Sequence, residues 1–194
     1  MADQCPGGVI GVSGTIYLIA EDTNDVDVVK AILQANEISV NVEKLFLTKH
    51  GGISRLDTQL TRLIQTARVK CGDRDCIAVL HDADESTETR RKHHNRIRDI
   101  CRDHHVPHIV AREEIESWLL ADEGICQWLG IKAQNHDNMR KPKNRLNSLV
   151  KRKVKKDYSG ATRKKVLNHV NGITRSPSLT EALKHLDGAP CIGR

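Results

Sequence analysis

A chain of 194 residues can bury one core with an appendage, and 38% hydrophobic residues with no apolar run near 18 describe a globular protein that does not cross a membrane. Aromatic residues make up only 3%, which argues against a base-stacking RNA platform. The net charge of +6 conceals a division: residues 141–165 carry eleven Lys or Arg against one acid, whereas residues 1–140 carry 17 basic and 22 acidic residues.

The first 14 residues lack the basic and apolar halves of a secretion leader, so a cytoplasmic location is expected. The six cysteines are scattered without a CxxC pair, which reads as reduced thiols. Residues 15–20 (Thr-Ile-Tyr-Leu-Ile-Ala) form a strong first strand. The glycines at 7, 8, 11 and 14 precede this strand, and no Gly-Lys-Ser/Thr follows them, so they are not a phosphate loop. Asn24 or Asp25 caps a helix that carries Val28, Val29, Ile32 and Leu33. Residues 42–47 form a second strand. After Gly51-Gly52, apolar residues at 53, 56, 60, 63, 64 and 67 mark an amphipathic helix.

Residues 76–80 are an apolar third strand of the buried, parallel kind, broken at once by Asp82 and Asp84. A polar helix over 86–105 follows, then a fourth strand at 106–110. A helix begins at 113–121 and continues to Leu129 after a break at Gly124. From Met139 onward the pattern is helical, with Pro142 at one helix start and Ser176-Pro177-Ser178 before the last helix. Strands alternating with helices predict an α/β fold: a mostly parallel, Rossmann-like, four-stranded sheet flanked by helices. Residues 1–138 make up this catalytic domain, and 139–194 a basic helical region packing on or beside it.

Acids follow three strands: Glu21 with Asp25 one turn on, Asp82 with Asp84, and Glu114 with Glu116. Unpaired carboxylates are excluded from an apolar layer, so they belong at the carboxyl edge of the sheet, where ligands bind in open α/β folds. Alternation puts Asp82 and Asp84 on one side, and neighbouring strand ends lie about 5 Å apart, close enough to share Mg²⁺ or Mn²⁺. Capping of a helix start is the competing reading for Glu114 and Glu116.

The order Glu, Asp-x-Asp, Glu resembles the Toprim domain shared by primases, type IA and II topoisomerases and OLD-family nucleases. The nearer resemblance is to small Toprim-like proteins of the RloB and OLD-nuclease group. It is carried by Glu21-Asp22-Thr23-Asn24-Asp25, His81-Asp82-Ala83-Asp84 and Glu114-Ile115-Glu116-Ser117-Trp118-Leu119-Leu120-Ala121-Asp122. Lys141-Pro142-Lys143 with Leu146 and the Ser176-Pro177-Ser178-Leu179 ending add to it.

The resemblance implies a nuclease that uses two divalent ions, Mg²⁺ or Mn²⁺. It makes Glu21 an acid/base or a ligand, Asp82 and Asp84 ligands, and Asp25 and Glu116, with Glu114 nearby, the holders of a second ion. Lys143 or Lys141 would face the charge developing on phosphorus. The group also implies a role in bacterial phage defence; the expected partner is nucleic acid, DNA before RNA. This chain has no ATPase domain, so any ATPase would be a separate subunit. Tyr17 and Tyr158 are not expected beside the acids, which speaks against topoisomerase chemistry.

Lys141, Lys143, Arg145, Lys151, Arg152, Lys153, Lys155, Lys156, Arg163, Lys164 and Lys165 are expected to track a phosphate backbone, with a solvated helix face as the bland alternative. A non-catalytic nucleic-acid-binding or partner-regulating protein on the same fold is the main rival function. A phospho-receiver is disfavoured, because about sixty residues separate Glu21 from Asp82. Cys101, His104, His105 and His108 do not converge as a zinc set requires. His93 and His94 read as a second basic face, His81 as pointing away from Asp82, and Trp118 and Trp128 as core anchors.

Overall fold

The computed structural model describes residues 14–45, 52–73, 75–83 and 88–186. Four parallel strands lie in the order β2-β1-β3-β4: β1 (Thr15–Ala20), β2 (Asn41–Leu45), β3 (Cys76–Asp82) and β4 (His108–Ala111). Between them run α1 (Thr23–Ala35), α2 (Ile53–Lys70) and α3 (Glu88–Asp103). The fold is thus α/β with an all-parallel sheet, consistent with a Rossmann-like arrangement. No helix among the described residues is long and apolar enough to cross a membrane.

The two faces of the sheet follow from the period-2 alternation of its strands. Ile16, Leu18, Ala20, Cys76, Ala78 and Leu80 pack with Val28, Val29 and Ile32 of α1. Tyr17, Ile19, Ile77 and Val79 pack with Leu56, Leu60 and Ile64 of α2 and Ile97 and Cys101 of α3. α1 therefore covers one face, and α2 and α3 cover the other. The chain leaves the central β1 toward β2 by one face and reaches β3 and β4 by the other, so its direction reverses between β1 and β3.

The rest of the chain is helical: α4 (Glu116–Ala121), α5 (Glu123–Leu129), α6 (Pro142–Val154), α7 (Gly160–Leu167) and α8 (Pro177–Leu186). These helices and their connections add Trp118, Leu119, Leu146, Leu149, Val150, Tyr158, Val166, Leu179 and Leu186 to the α1-side core. The basic region thus shares one continuous core with the sheet. Its last helix, α8, packs along β4. Asp137 fixes the entry to α8 by accepting hydrogen bonds from the Ser176 hydroxyl and from Ser178 N, while the Trp118 indole N–H donates to Ser178 Oγ at 2.8 Å.

Several local expectations need correction. Asp22, not Asn24 or Asp25, is the N-cap of α1. Its side chain accepts from Asn24 N while Asp25 accepts from Asp22 N at 3.0 Å, a reciprocal capping box. The fourth strand begins at His108 rather than Val106, because Val106 N–H bonds back to Cys101 O to close α3 over a left-handed His105.

The break between α4 and α5 falls at Asp122, whose carboxylate caps α5 through Ile125 N–H and also accepts from Asn171 and Gly172 N–H. Gly124 serves close packing instead: a Cβ there would lie 2.2 Å from His169 O. Cys71, Cys101 and Cys126 are free thiols as expected, but Cys76 is disulfide-bonded. Residues 46–47 of the second expected strand and 86–87 of the polar helix lie outside the described residues.

Candidate metal centre

Because β1 and β3 are neighbours and send the chain to opposite faces, a crevice opens at their carboxyl ends. Glu21 follows β1 directly, and Asp82 is the last residue of β3. The Asp82 N–H donates to Glu21 Oε1 at 3.3 Å, which ties the two strand ends together. Asp25 sits in the first turn of α1 and Glu116 in the first turn of α4; both are buried, at 7% and 6% exposure. The Asp82 carboxylate accepts from Ile115 N–H at 2.9 Å, which docks the start of α4 onto β3. The carboxylates of Glu21, Asp25 and Glu116 all lie within electrostatic reach of Asp82.

Their electrostatics record that proximity. Burial raises the pKa of Asp82 well above the ordinary carboxylate range, and the charges of Asp25, Glu21 and Glu116 raise it further. Burial lifts Asp25 to about 7, with the charges of Asp22, Glu116 and Glu21 adding to it. Glu21 is raised by burial against the opposing effects of Asp82 N–H and Arg90. Glu116 is also raised by burial, opposed by the positive charges of Lys143 and Arg163. Burial alone would raise Asp22 too, but hydrogen bonds from Asn24 and Thr23 and the charge of Arg163 leave it below its ordinary value.

Among the described residues no three His, Cys, Asp or Glu side chains already converge on one metal-sized point. The donors nonetheless fit a hard divalent cation in kind. All four are carboxylates, they repel one another in a recessed site, and an ion of charge +2 would remove that repulsion. Capping does not account for the burial of Asp25 and Glu116, since a capping carboxylate needs no like-charged neighbours.

The expected site residues divide in three. Glu21, Asp25, Asp82 and Glu116 come together, with Lys143 close enough to act on Glu116. Glu114 adds its charge to the field at Glu116 but also makes a structural contact. Its carboxylate accepts Lys143 N–H at 2.9 Å and so holds the N-terminus of α6. Asp84 lies outside the described residues. Of the basic residues, Lys141, Lys143, Arg145, Lys151, Arg152, Lys153, Lys155, Lys156, Lys164 and Lys165 are exposed, and Lys151 pairs with Asp157 at 3.2 Å. Arg163 alone is partly buried.

Three features are invisible in the sequence. Tyr158 lies beside the acids after all: it is buried, burial pushes its hydroxyl well above the ordinary phenol range, and the charges of Glu116 and Asp25 reach it. It is distant in sequence from Glu21, Asp25, Asp82 and Glu116, so only the packing of α6 and α7 reveals it. Behind Asp82, on the other face, His81 is buried between His108 and His94, with Nε2 2.7 Å from His108 Nε2 and Nδ1 3.0 Å from Asp82 O. Burial depresses His81 to about 3 and His108 to about 4, so both rings are neutral and brace the end of β3. His81 does point away from the carboxylates, as alternation requires. His93 does not form a second basic face with His94. It bonds the buried Asp57 of α2 at 2.7 Å, a lock between α2 and α3.

Comparisons of the chain with protein-family models, curated proteins and solved structures return no match.

Proposed function

We propose that this protein is a divalent-metal-dependent nuclease that hydrolyses phosphodiester bonds, with DNA preferred over RNA, in the cytoplasm. The observation that carries the reading is the set of four mutually repelling carboxylates, Glu21, Asp25, Asp82 and Glu116, recessed at the β1–β3 crevice. Clustered buried acids of one sign cost stability unless a cation completes them, which makes such a cluster a mark of function. The exposed lysines and arginines of α6 and α7 adjoin the same crevice through Lys143 and Arg163, and their charge suits a phosphate backbone.

In the reaction a water oxygen bonds to phosphorus and the phosphorus–oxygen bond to the leaving sugar breaks. The proton lost by water passes to a carboxylate, and the leaving oxygen takes up a proton from solvent. Glu21, its pKa raised by burial, is the carboxylate proposed to accept that proton. A cation held by Glu21, Asp25, Asp82 and Glu116 would neutralise phosphate charge and lower the pKa of a bound water.

The test is hydrolysis of labelled single- and double-stranded DNA and RNA with Mg²⁺, Mn²⁺ or chelator. Cleavage that requires the cation and disappears in Asp82→Ala and Glu21→Ala, with circular dichroism unchanged, is the expected result. Cation-dependent binding of nucleic acid without any cleavage would favour a binding protein instead.

A further inference from the structure

We propose that Arg163, seated on the ring of Tyr158, is the side chain that holds a non-bridging oxygen of the phosphate at the carboxylate crevice, with Tyr158 as its positioning residue. The proposal rests on the nuclease reading and names the residue that would contact its substrate.

The geometry begins in the linker between α6 and α7. Lys155 closes α6 in the left-handed conformation at φ 60°. Tyr158 N–H then donates to Asn147 Oδ1 at 2.6 Å, which fastens the turn back onto α6. The Tyr158 ring is thereby driven into the α1-side core at 6% exposure. From the first turn of α7, the Arg163 guanidinium carbon lies 5.2 Å from the centre of that ring. The guanidinium also hydrogen-bonds the Tyr158 hydroxyl, so ring and hydroxyl together hold it while its remaining N–H donors stay available.

Position distinguishes Arg163 from the other basic residues of this region. It alone among those between 141 and 165 is partly buried. Its charge is felt by Asp22 before α1 and by Glu116 of α4, on two sides of the crevice. Tyr158 beneath it feels the charges of Glu116 and Asp25. An arginine fixed on an aromatic ring at the rim of an acidic crevice is poorly placed to track a distant backbone. It is well placed for an anion that enters the crevice itself.

The planar fork of Arg163 can give two parallel N–H donors to phosphate, a geometry that lysine cannot match. Arg163 keeps its protons throughout and donates hydrogen bonds only. Burial keeps the Tyr158 hydroxyl protonated, and its role is to position Arg163.

The experiment compares full-length wild type with Arg163→Ala, Arg163→Lys, Tyr158→Phe and Tyr158→Leu in Mn²⁺. Hydrolysis of a labelled oligonucleotide is followed alongside Mn²⁺ affinity by calorimetry. Arg163→Ala is expected to lower kcat/KM roughly 100-fold, the scale for removing one preorganised donor to a transition-state oxyanion, with Mn²⁺ affinity unchanged. Millimolar guanidinium ion should restore part of the rate in Arg163→Ala and none in wild type. Arg163→Lys should recover less than half of the loss. Tyr158→Phe keeps the ring but loses the hydroxyl that Arg163 bonds and should fall between wild type and Tyr158→Leu, while Tyr158→Leu should approach Arg163→Ala.

Wild-type rates in Arg163→Ala, failure of guanidinium to rescue it, or loss of Mn²⁺ binding along with activity would each overturn the assignment. Wild type that neither binds Mn²⁺ nor cleaves would overturn the nuclease reading, a distinct outcome.

Discussion

Replacing Asp25 by asparagine separates electrostatic strain in the crevice from ordinary helix capping. The amide oxygen introduced by Asp25→Asn can still accept from Asp22 N–H, so the capping box keeps its geometry while the charge is lost. Asp25 titrates at about 7 in the folded protein against an ordinary 3.8. A folded pKa above the unfolded one means that the group supports folding fully below pH 3.8. That support is lost as pH rises through about 7. At 1.36 kcal/mol per pKa unit the shift corresponds to an upper bound of about 4 kcal/mol at pH 8.

In chelator, Asp25→Asn should therefore be more stable than wild type at pH 8, by several degrees in Tm for a chain of this size, and should lose that advantage below pH 4. Mn²⁺ should raise the Tm of wild type at pH 8 and raise that of Asp25→Asn far less. Thermal unfolding from pH 4 to pH 9, with and without Mn²⁺, measures all three. Destabilisation of Asp25→Asn by the same amount at every pH would show that capping, not charge repulsion, governs this position.

Other outcomes follow from the same physics. Reversing Lys153, Lys155 and Lys156 to Glu should weaken nucleic-acid binding at all sequences. The slope of log K against log salt should fall by about 0.9 for each phosphate that the region no longer neutralises, read by fluorescence anisotropy between about 50 and 200 mM salt. Asp122→Ala leaves the N–H groups of Ile125, Asn171 and Gly172 without their acceptor and should cost about 1–3 kcal/mol in urea unfolding. Gly124→Ala forces the added methyl against His169 O and should cost about 1–3 kcal/mol, because the backbone on both sides must shift.

The parallel sheet was legible because each strand is a short apolar run followed by a helical period. The β1–β3 crevice followed once the strand order was known. Glu21 and Asp82 were legible for the same reason, each standing where a buried strand meets polar chain. Asp25 carried two signals at once, a capping box and a site, and only its burial among other acids separates them. Glu114 and Glu116 are adjacent in pattern but differ in fate, since a two-residue offset at the start of α4 sends one carboxylate to α6 and the other into the crevice.

Tyr158, Arg163 and the His81–His94–His108 cluster were not legible as neighbours, because their partners lie on elements far away in sequence. Periodicity reports which face a residue occupies, not which distant helix covers it. The misplacement of the α4–α5 break has a similar origin: Gly124 looks like a breaker, but its missing side chain answers to His169 O and the Asn171 side chain.

The most direct measurement is diffraction from crystals soaked in Mn²⁺, with anomalous differences collected at the manganese edge. A peak bounded by Glu21, Asp82 and either Asp25 or Glu116 is the expected result. An empty crevice, or manganese bound only at His81, His94 and His108, would contradict a carboxylate metal centre.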